Sequence, residues 1–339
     1  MNTPRRNFMA VDLIFLGYCA FVIAVVLLSP HSAHRKDMLF FFGGLAAFYL
    51  GMQRLGMAHQ RAIVARQNPP LWLSAFGVAY TLVPMFLIPL SFLQLGFVIE
   101  DMGMLRDISL HPDFVPLAGH YDPDNADING FGRFGAATYN DLMLKNLDVS
   151  IFGVYLPEWA RQFRTPWLTG VLQWCYCFYY IAPALAIVPL MFQRRWREVR
   201  MCGALVGGCI LLTYIIYLFV PATGPRFEGG VGGWMPAADS WFGAEALYRA
   251  VNGAETFRWN AFPSGHVAVS LVALVIALRY NRKLGVLMIL PVLGLCLATI
   301  CLGYHYGVDV LAGSACSILS LAIIPPLTRA WERPAWGGV

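Results

Sequence analysis

The sequence predicts an all-α integral membrane protein with about eight transmembrane helices, and three observations support this fold class. Apolar residues make up 58% of the 339 residues, charged residues only 13%, and the mean hydropathy is +0.59. A soluble domain typically has about 25% charged residues. Apolar stretches of about 20 residues, the length that crosses a bilayer as a helix, recur along the chain, and basic residues follow every second stretch. These properties exclude a water-soluble globular protein and a disordered chain.

Eight apolar stretches are predicted to span the membrane, and the basic residues predict their orientation. Lys and Arg are enriched in cytoplasmic loops, and here they precede the first stretch and follow the second, fourth, sixth and eighth. Both termini are therefore predicted to be cytoplasmic. The loop 99–165 carries ten acidic against five basic residues and, with segment 221–263, is predicted to be extracytoplasmic. The predicted spans are 10–29, 38–57, 71–98, 166–191, 201–220, 264–280, 284–302 and 306–326.

The spans divide the chain into four predicted regions. N-terminal transmembrane helices occupy 1–98, an extracytoplasmic loop 99–165, a transmembrane core 166–326 and a cytoplasmic tail 327–339. Within the loop, the apolar segment 147–160 is too short to cross the bilayer, which favours an interfacial or re-entrant helix. The eight cysteines all lie in apolar stretches, so we interpret them as buried free thiols.

Three segments at the predicted outer ends of the spans carry polar residues that ordinary interface composition does not explain. They are Pro221–Arg226, Phe262–His266 and Gly303–Asp309. The topology that brings them to one membrane level was inferred from charged side chains elsewhere in the chain. Their common level is therefore an independent indication of a functional site.

The third segment contains a histidine and an aspartate four residues apart, His305 and Asp309. On a helix, residues at this spacing share one face, so the carboxylate could accept the Nδ1–H of the imidazole. That contact would leave Nε2 free to act as a nucleophile. The alternative is an interfacial histidine beside an aspartate that complements the helix dipole.

The other two segments predict an anion site. Pro263, Ser264 and Gly265 at a helix start leave unpaired backbone N–H groups, Gly265 permits close approach of a ligand, and His266 could transfer a proton. Arg226 could clamp a phosphate. The alternatives are an ordinary turn and an arginine that snorkels to the interface. Together the segments predict phosphoryl transfer through a phosphohistidine, without a metal or other cofactor.

At these residues the chain resembles the type 2 phosphatidic acid phosphatase superfamily over about residues 200–326. Arg226 matches the arginine of the superfamily's first motif, Pro263-Ser264-Gly265-His266 its second motif, and His305-x-x-x-Asp309 the end of its third. The resemblance implies a six-helix-type phosphatase core in the membrane, with its active site at the outer membrane face. It also implies that His305 attacks phosphorus, Asp309 holds it, His266 transfers protons, and Arg226, Ser264 and Gly265 bind the phosphate.

Two cations expected from the superfamily are missing, because Phe219 stands at the lysine position of the first motif and Ala298-Thr299 at the Ser-Arg of the third. This pattern resembles the inositolphosphotransferase branch, which includes the inositol phosphorylceramide synthases. Accessory roles are predicted for Asp148, Arg258 and Tyr304. Outer-side arginines that could replace the missing cations are Arg133, Arg161, Arg164 and Arg258.

The sequence thus predicts a multi-pass enzyme that acts on a lipid phosphate or phosphodiester lipid at the extracytoplasmic side of a bilayer. The branch resemblance favours transfer of a phosphorylated head group to a polyol or ceramide acceptor. Alternatives are a simple phosphatidate or polyprenyl-phosphate phosphatase, and a non-catalytic scaffold or transporter. Nucleic acid is not expected as a partner, the oligomeric state stays open, and the acidic run 122–130 is interpreted as a solvated turn because its calcium-loop pattern lacks the final glutamate.

Overall fold

The computed structural model describes residues 9–31, 33–64, 70–103, 139–227, 240–254 and 259–336, and the regular structure within these ranges is entirely helical. Single 3-10 turns lie at Phe178–Tyr180, Pro225–Phe227 and Trp241–Gly243. The α-helices in the described ranges are α1 (Ala10–Leu28), α2 (Arg35–Val64), α3 (Leu71–Phe92), α4 (Leu95–Met102), α5 (Tyr139–Phe152), α6 (Leu156–Arg161), α7 (Pro166–Cys177), α8 (Ala182–Phe192), α9 (Trp196–Phe219), α10 (Ala244–Ala254), α11 (Gly265–Tyr280), α12 (Arg282–Cys301) and α13 (Gly307–Trp336).

Several of these helices are long and apolar enough to cross a membrane, which indicates a multi-pass membrane protein. Within the described residues five helical segments qualify, and they coincide with five of the predicted spans: Ala10–Leu28, Arg35–Ala58, Arg197–Phe219, Arg282–Cys301 and Gly307–Trp331. The all-helical fold class is therefore confirmed, whereas the count of eight spans and the orientation of the termini stay predictions.

The predicted span 166–191 is a bent pair of helices. Helices α7 and α8 meet at an angle of 46° and count as a sixth candidate span only if the pair is taken as one. The break follows the 3-10 turn Phe178–Tyr180, and α8 begins one residue before Pro183. Proline has no N–H to donate to a preceding turn and is tolerated at the first turn of a new helix, which explains why the helix restarts here.

The two remaining predicted spans correspond to shorter or divided helices. Segment 71–98 contains α3 and then the start of α4. Segment 264–280 is α11, an apolar helix of 16 residues, which is shorter than the ~20 residues of a typical span. Helix α13 also continues to Trp336, so the described part of the predicted tail 327–339 is helical.

The chain divides into two compact units. The first comprises Met1–Met102, Ile187–Leu211 and Ile318–Val339. In this unit α2 packs against α1 and α3, and Phe15 contacts Tyr49 with ring centroids 4.7 Å apart. A buried polar cluster lies among these helices. Asp12 accepts hydrogen bonds from the hydroxyls of Tyr49 (2.8 Å) and Tyr80 and from the Met9 N–H (2.7 Å).

The second unit comprises Gly103–Ala186 and Leu212–Ser317, and it contains all three predicted polar segments. Helix α12 packs against α11, α7 and α6, and α10 packs against α7. The members of the hydrophobic cluster between these helices are buried side chains from four elements: Leu172, Tyr176, Tyr248, Val251, Ala298, Leu302 and Tyr304. All eight cysteines of the chain are free thiols, buried or partly buried, as their apolar positions predict.

Candidate functional site

Helix α5 holds the loop that follows α9 through one buried carboxylate. Asp141 accepts hydrogen bonds from the N–H groups of Thr223 (2.9 Å) and Gly224 (2.8 Å) and from the Tyr306 hydroxyl (3.2 Å). Its neighbour Asn140 donates to the Pro221 carbonyl at 2.9 Å. A helix outside the three motif segments thus ties the first segment to the third.

The first segment requires a glycine where it meets the third. Gly224 has a φ of +89°, and a Cβ atom there would lie 2.5 Å from the carbonyl oxygen of Tyr304. Only glycine adopts this conformation at low cost. Two residues later the Arg226 N–H donates to the Gly303 carbonyl at 2.8 Å, so the two segments are held together on both sides of the turn.

The guanidinium of Arg226 is buried, with the residue 4% exposed. It donates from Nη1 to Oδ1 of Asn252 at 2.9 Å, and its Cζ lies 4.9 Å from the centroid of the Tyr304 ring. The Asn252 amide in turn donates to the Tyr248 carbonyl at 2.8 Å. Arg226 therefore does not snorkel to the surface. It is a buried cation oriented by α10 and by an aromatic face.

His305 is oriented by two acceptors on its Nδ1. The nearer one is the backbone carbonyl of Ala261 at 2.8 Å, and the second is Oδ2 of Asp309 at 3.3 Å. The predicted contact between His305 and Asp309 is present, but the shared helix face that predicted it is wrong. His305 lies in the turn before α13, which begins at Gly307, and Asp309 reaches back to accept the Tyr306 N–H at 2.9 Å.

This arrangement prepares Nε2 of His305 for nucleophilic chemistry. With a carbonyl as its nearest partner, Nδ1 must carry the proton, so Nε2 holds the lone pair. Burial and then the charge of Arg226 lower the pKa of His305 to about 3, although the Ala261 carbonyl opposes the shift. The imidazole is therefore neutral at neutral pH, as a nucleophile must be.

Asp148 lies at the start of α13 rather than beside the two histidines. It accepts from the N–H groups of Gly307 (3.0 Å) and Val308 (2.8 Å). These are the first amides of the helix, which have no partner within it. Asp148 and Asp141 lie on the same helix, α5, so one helix supports both the first and the third motif segments.

The second segment was predicted to present unpaired backbone N–H groups, but several of its polar groups have partners within the protein. Ser264 is the N-cap of α11 and accepts the Val267 N–H at 3.3 Å, while its own N–H donates to the Asp309 carbonyl at 3.0 Å. At Gly265, a Cβ atom would lie 2.6 Å from the Tyr217 hydroxyl. The close approach that this glycine permits is thus made by a side chain of α9.

His266 faces His305 across the site, with ring centroids 5.8 Å apart. Its ring stacks on Tyr176 at 4.5 Å and contacts Tyr179 at 4.4 Å. Nε2 of His266 is buried and has no hydrogen-bond partner among the described residues. A polar atom in this state is costly unless something else binds it, which is consistent with a group that meets a substrate.

Two of the four arginines proposed to replace the missing cations can be placed. Arg161 pairs with Glu158 at 3.6 Å on an exposed surface. Arg164 is partly buried, and burial followed by the nearby Arg161 charge lowers its pKa, while Tyr248 and Tyr304 interact with it electrostatically. The other two, Arg133 and Arg258, lie outside the described residues, as does the acidic run 122–130.

Each residue that the sequence analysis missed lies far along the chain from the group that it contacts. Asp141 and Asn252 carry ordinary helix-surface residue types, the acceptor on Ala261 is a backbone carbonyl, and Tyr176 lies in an apolar run. Only Asp141 had a local signal, since it is spaced two helical turns from Asp148. Within the described ranges no three His, Cys, Asp or Glu side chains are placed to hold a metal ion.

Comparison with known families gives a match over the region that contains the site. The family model described as "PAP2 superfamily" matches residues 151–323, just over half of the chain, and this range contains Arg226, His266, His305 and Asp309. No curated protein and no solved structure matches significantly. The apolar helices and the matched region fit a membrane enzyme of the phosphatase type. The chain belongs to the PAP2 superfamily.

Proposed function

We propose that this protein is a membrane-embedded lipid phosphotransferase or phosphatase that works through a phosphohistidine at His305. The observation that carries the proposal is the orientation of His305. Its Nδ1 lies 2.8 Å from a backbone carbonyl and 3.3 Å from Asp309, beside a buried arginine and a second histidine. Such an arrangement of a nucleophile, an orienting group, a cation and a proton donor suits phosphoryl transfer.

In the first step, Nε2 of His305 attacks phosphorus and the bond from phosphorus to the leaving oxygen breaks. The Arg226 guanidinium stabilises the charge on the phosphoryl oxygens, and the N-terminus of α11 adds its dipole. Protonated His266 gives its proton to the leaving alkoxide. The products of this step are a phosphohistidine, a free alcohol and a neutral His266.

In the second step, His266 takes a proton from water or from an alcohol, and that oxygen attacks phosphorus. The phosphorus–nitrogen bond breaks and Nε2 of His305 recovers its lone pair. Water gives the hydrolysed product and an alcohol gives a new phosphoester. The same residues therefore serve both reactions, and access of the acceptor decides between them. Asp309 and the Ala261 carbonyl keep the imidazole in one tautomer throughout.

The shortage of cations favours transfer of a phosphorylated head group over simple hydrolysis of a monoester. A phosphate monoester carries up to two negative charges, whereas a phosphodiester carries one. With Phe219, Ala298 and Thr299 at positions where the superfamily has polar or cationic residues, the site suits the smaller charge. A polyol or ceramide would then be the acceptor. The site would face the extracytoplasmic side, as the distribution of basic residues predicts.

Purified protein in detergent, incubated with a panel of lipid phosphates and phosphodiester lipids, tests the proposal. Each donor is assayed with and without polyol or ceramide acceptors. We expect an acceptor-dependent new lipid from a phosphodiester donor, whereas free phosphate as the sole product, released from monoester donors, would favour the phosphatase instead.

The matched variants are His305→Ala and His34→Ala, the latter a histidine of the first unit. We expect His305→Ala to lower turnover by about 10⁴-fold or more and His34→Ala to leave it within about twofold. Unchanged turnover in His305→Ala on every active donor would contradict the catalytic role of His305, whereas no turnover of any donor by the wild type would favour a scaffold or transporter.

A further inference from the structure

Four side chains of the second unit form one continuous stack through the site. The Cζ atom of Arg226 lies 4.9 Å from the Tyr304 ring centroid. Tyr304 stacks on Tyr176 at 3.9 Å with an angle of 12° between the rings, and Tyr176 stacks on His266 at 4.5 Å with an angle of 29°. Two aromatic rings therefore separate the buried cation from the second histidine.

The two rings at the centre of the stack are held firmly. Tyr176 and Tyr304 are each 1% exposed. One helical turn before Tyr176, the buried Gln173 donates from Nε2 to the Tyr304 hydroxyl at 3.2 Å. The carbonyl of Tyr304 also fills the space beside Gly224. Helix α7 and the turn before α13 thus fix the positions of both rings.

Aromatic contacts, rather than hydrogen bonds to Nε2, orient His266. Tyr176 covers the ring at 4.5 Å, Tyr179 lies at 4.4 Å with an angle of 50°, and Tyr180 presents an edge-on contact at 6.3 Å. Nε2 is left without a partner among the described residues. The three rings therefore fix the plane of the imidazole, from which Nε2 would donate a proton to a leaving group.

We propose that Tyr176 is the positioning residue for His266. Its ring, stacked between Tyr304 and His266, fixes the position of the proton donor relative to Arg226, which binds the phosphate. The inference rests on the proposed function. Tyr176 itself exchanges no proton and touches no phosphate. It acts on the step in which the proton moves from the His266 imidazolium to the leaving oxygen as the phosphorus–oxygen bond breaks.

A purely structural role predicts a different pattern. Tyr176 also belongs to the hydrophobic cluster with Leu172 and Tyr248, and loss of packing would damage the site for every substrate equally. A positioning role for the proton donor predicts damage that depends on the leaving group. An alkoxide needs a proton in order to leave, whereas a phenolate leaves with little help.

The test compares two phosphodiester donors of similar length, a polyol phosphate esterified to a long-chain alkyl group and the same polyol phosphate esterified to a long-chain alkylphenyl group, in wild type, Tyr176→Leu and Tyr176→Phe. We expect Tyr176→Leu to lower kcat about 100-fold on the alkyl donor and less than about tenfold on the aryl donor. KM should change little because Arg226 is intact. Tyr176→Phe, which keeps the ring, should stay within about threefold on both.

Two further variants keep the test decisive. Tyr176→Met fills the volume without an aromatic ring and should show the same dependence on the leaving group if Tyr176→Leu does not fold. Trp167→Leu, at an exposed position of the same helix, should leave both donors unaffected. Equal losses on the two donors, or a loss in Tyr176→Phe as large as in Tyr176→Leu, would overturn the inference. Failure of wild type to turn over any lipid phosphate or phosphodiester lipid would refute the proposed function itself.

Discussion

Two buried carboxylates, one in each compact unit, are held in opposite ways. In the first unit both oxygens of Asp12 are satisfied, Oδ1 by the hydroxyls of Tyr49 and Tyr80 and Oδ2 by the Met9 N–H. In the second unit Asp309 accepts from Tyr306 and contacts His305 through Oδ2. Its Oδ1 is buried and has no hydrogen-bond partner among the described residues.

This difference distinguishes a cluster that joins helices from the proposed catalytic cluster. A closed network recovers the cost of burying a carboxylate and stabilises the packing of α1 on α2 and α3. In the second network a buried carboxylate oxygen has no hydrogen-bond partner among the described residues. Proteins tolerate such atoms mainly at functional sites. His266 shows the same property through its Nε2. The comparison predicts that substitutions in the Asp12 cluster mainly lower stability, whereas substitutions in the Asp309 cluster mainly lower activity.

The largest effect on activity among these tests is expected from Asp309→Asn. The change keeps an oxygen acceptor for the Tyr306 N–H but replaces the carboxyl group beside His305 with an amide. Loss of the orienting carboxylate in a serine-protease triad costs about 10⁴-fold, but here the Ala261 carbonyl still holds Nδ1 at 2.8 Å. We therefore expect kcat to fall about 100-fold with little change in the melting temperature in detergent. A fall below threefold would show that the carboxylate does not orient the nucleophile.

A smaller loss is expected from Asp141→Asn, which acts through the backbone. An asparagine oxygen at the Oδ1 position can still accept from the Thr223 and Gly224 N–H groups, but its NH₂ group at the Oδ2 position would face the Thr223 N–H at 3.2 Å and could no longer accept from the Thr223 hydroxyl. The loop that carries Arg226 should then shift, lowering kcat/KM about tenfold. The measurement is steady-state kinetics beside Glu158→Gln, an exposed acid on α6 that should behave as wild type. Unchanged kinetics in Asp141→Asn would mean that α5 does not position the first segment.

The two placed arginines offer a matched pair. Arg164 interacts with Tyr248 and Tyr304, whereas Arg161 pairs with Glu158 at the surface. If Arg164 supplies part of the missing positive charge, Arg164→Ala should raise KM for the lipid donor by about tenfold, the value of one charge-assisted hydrogen bond. Arg161→Ala should change KM by less than twofold. Equal effects of the two substitutions on KM would mean that Arg164 does not supply the missing positive charge.

The smallest effect on activity is expected from Asp12→Asn, although this variant should be less stable than Asp309→Asn. Removing the charge weakens three hydrogen bonds in a buried network, at a cost of about 1–3 kcal/mol. Thermal unfolding in detergent should therefore shift to lower temperature, with kcat within about twofold well below the transition. A large loss of kcat without loss of stability would abolish the distinction between the two clusters.

The sequence predicted the parts of the site that depend on local spacing. Arg226, His266, His305 and Asp309 were found from short motifs, and the structure brings them into one unit. The geometry was predicted less well, because His305 lies outside the helix that was expected to carry it. The space at Gly265 was assigned to a ligand but accommodates Tyr217, a contact between helices that spacing cannot reveal.

The residues that support the site could not be predicted because their partners are distant in the chain. Asp141 lies 82 positions from Thr223, and the Ala261 carbonyl lies 44 positions from His305. A carbonyl has no side-chain signature, and Tyr176 has the composition of an ordinary apolar helix. Hydropathy alone predicted a single span over 166–191, because it does not report the 46° bend that lies just before Pro183.

The central claim, that His305 is the nucleophile, is tested most directly by trapping the covalent intermediate. Purified protein is mixed with a donor lipid that carries radiolabelled phosphorus and is quenched within the first turnover. We predict label on the protein that is stable to base and labile to acid, as a phosphohistidine is, mapped to the peptide containing His305 and absent in His305→Ala. Rapid turnover of the same donor with no label on the protein, or with label retained in His305→Ala, would contradict the account.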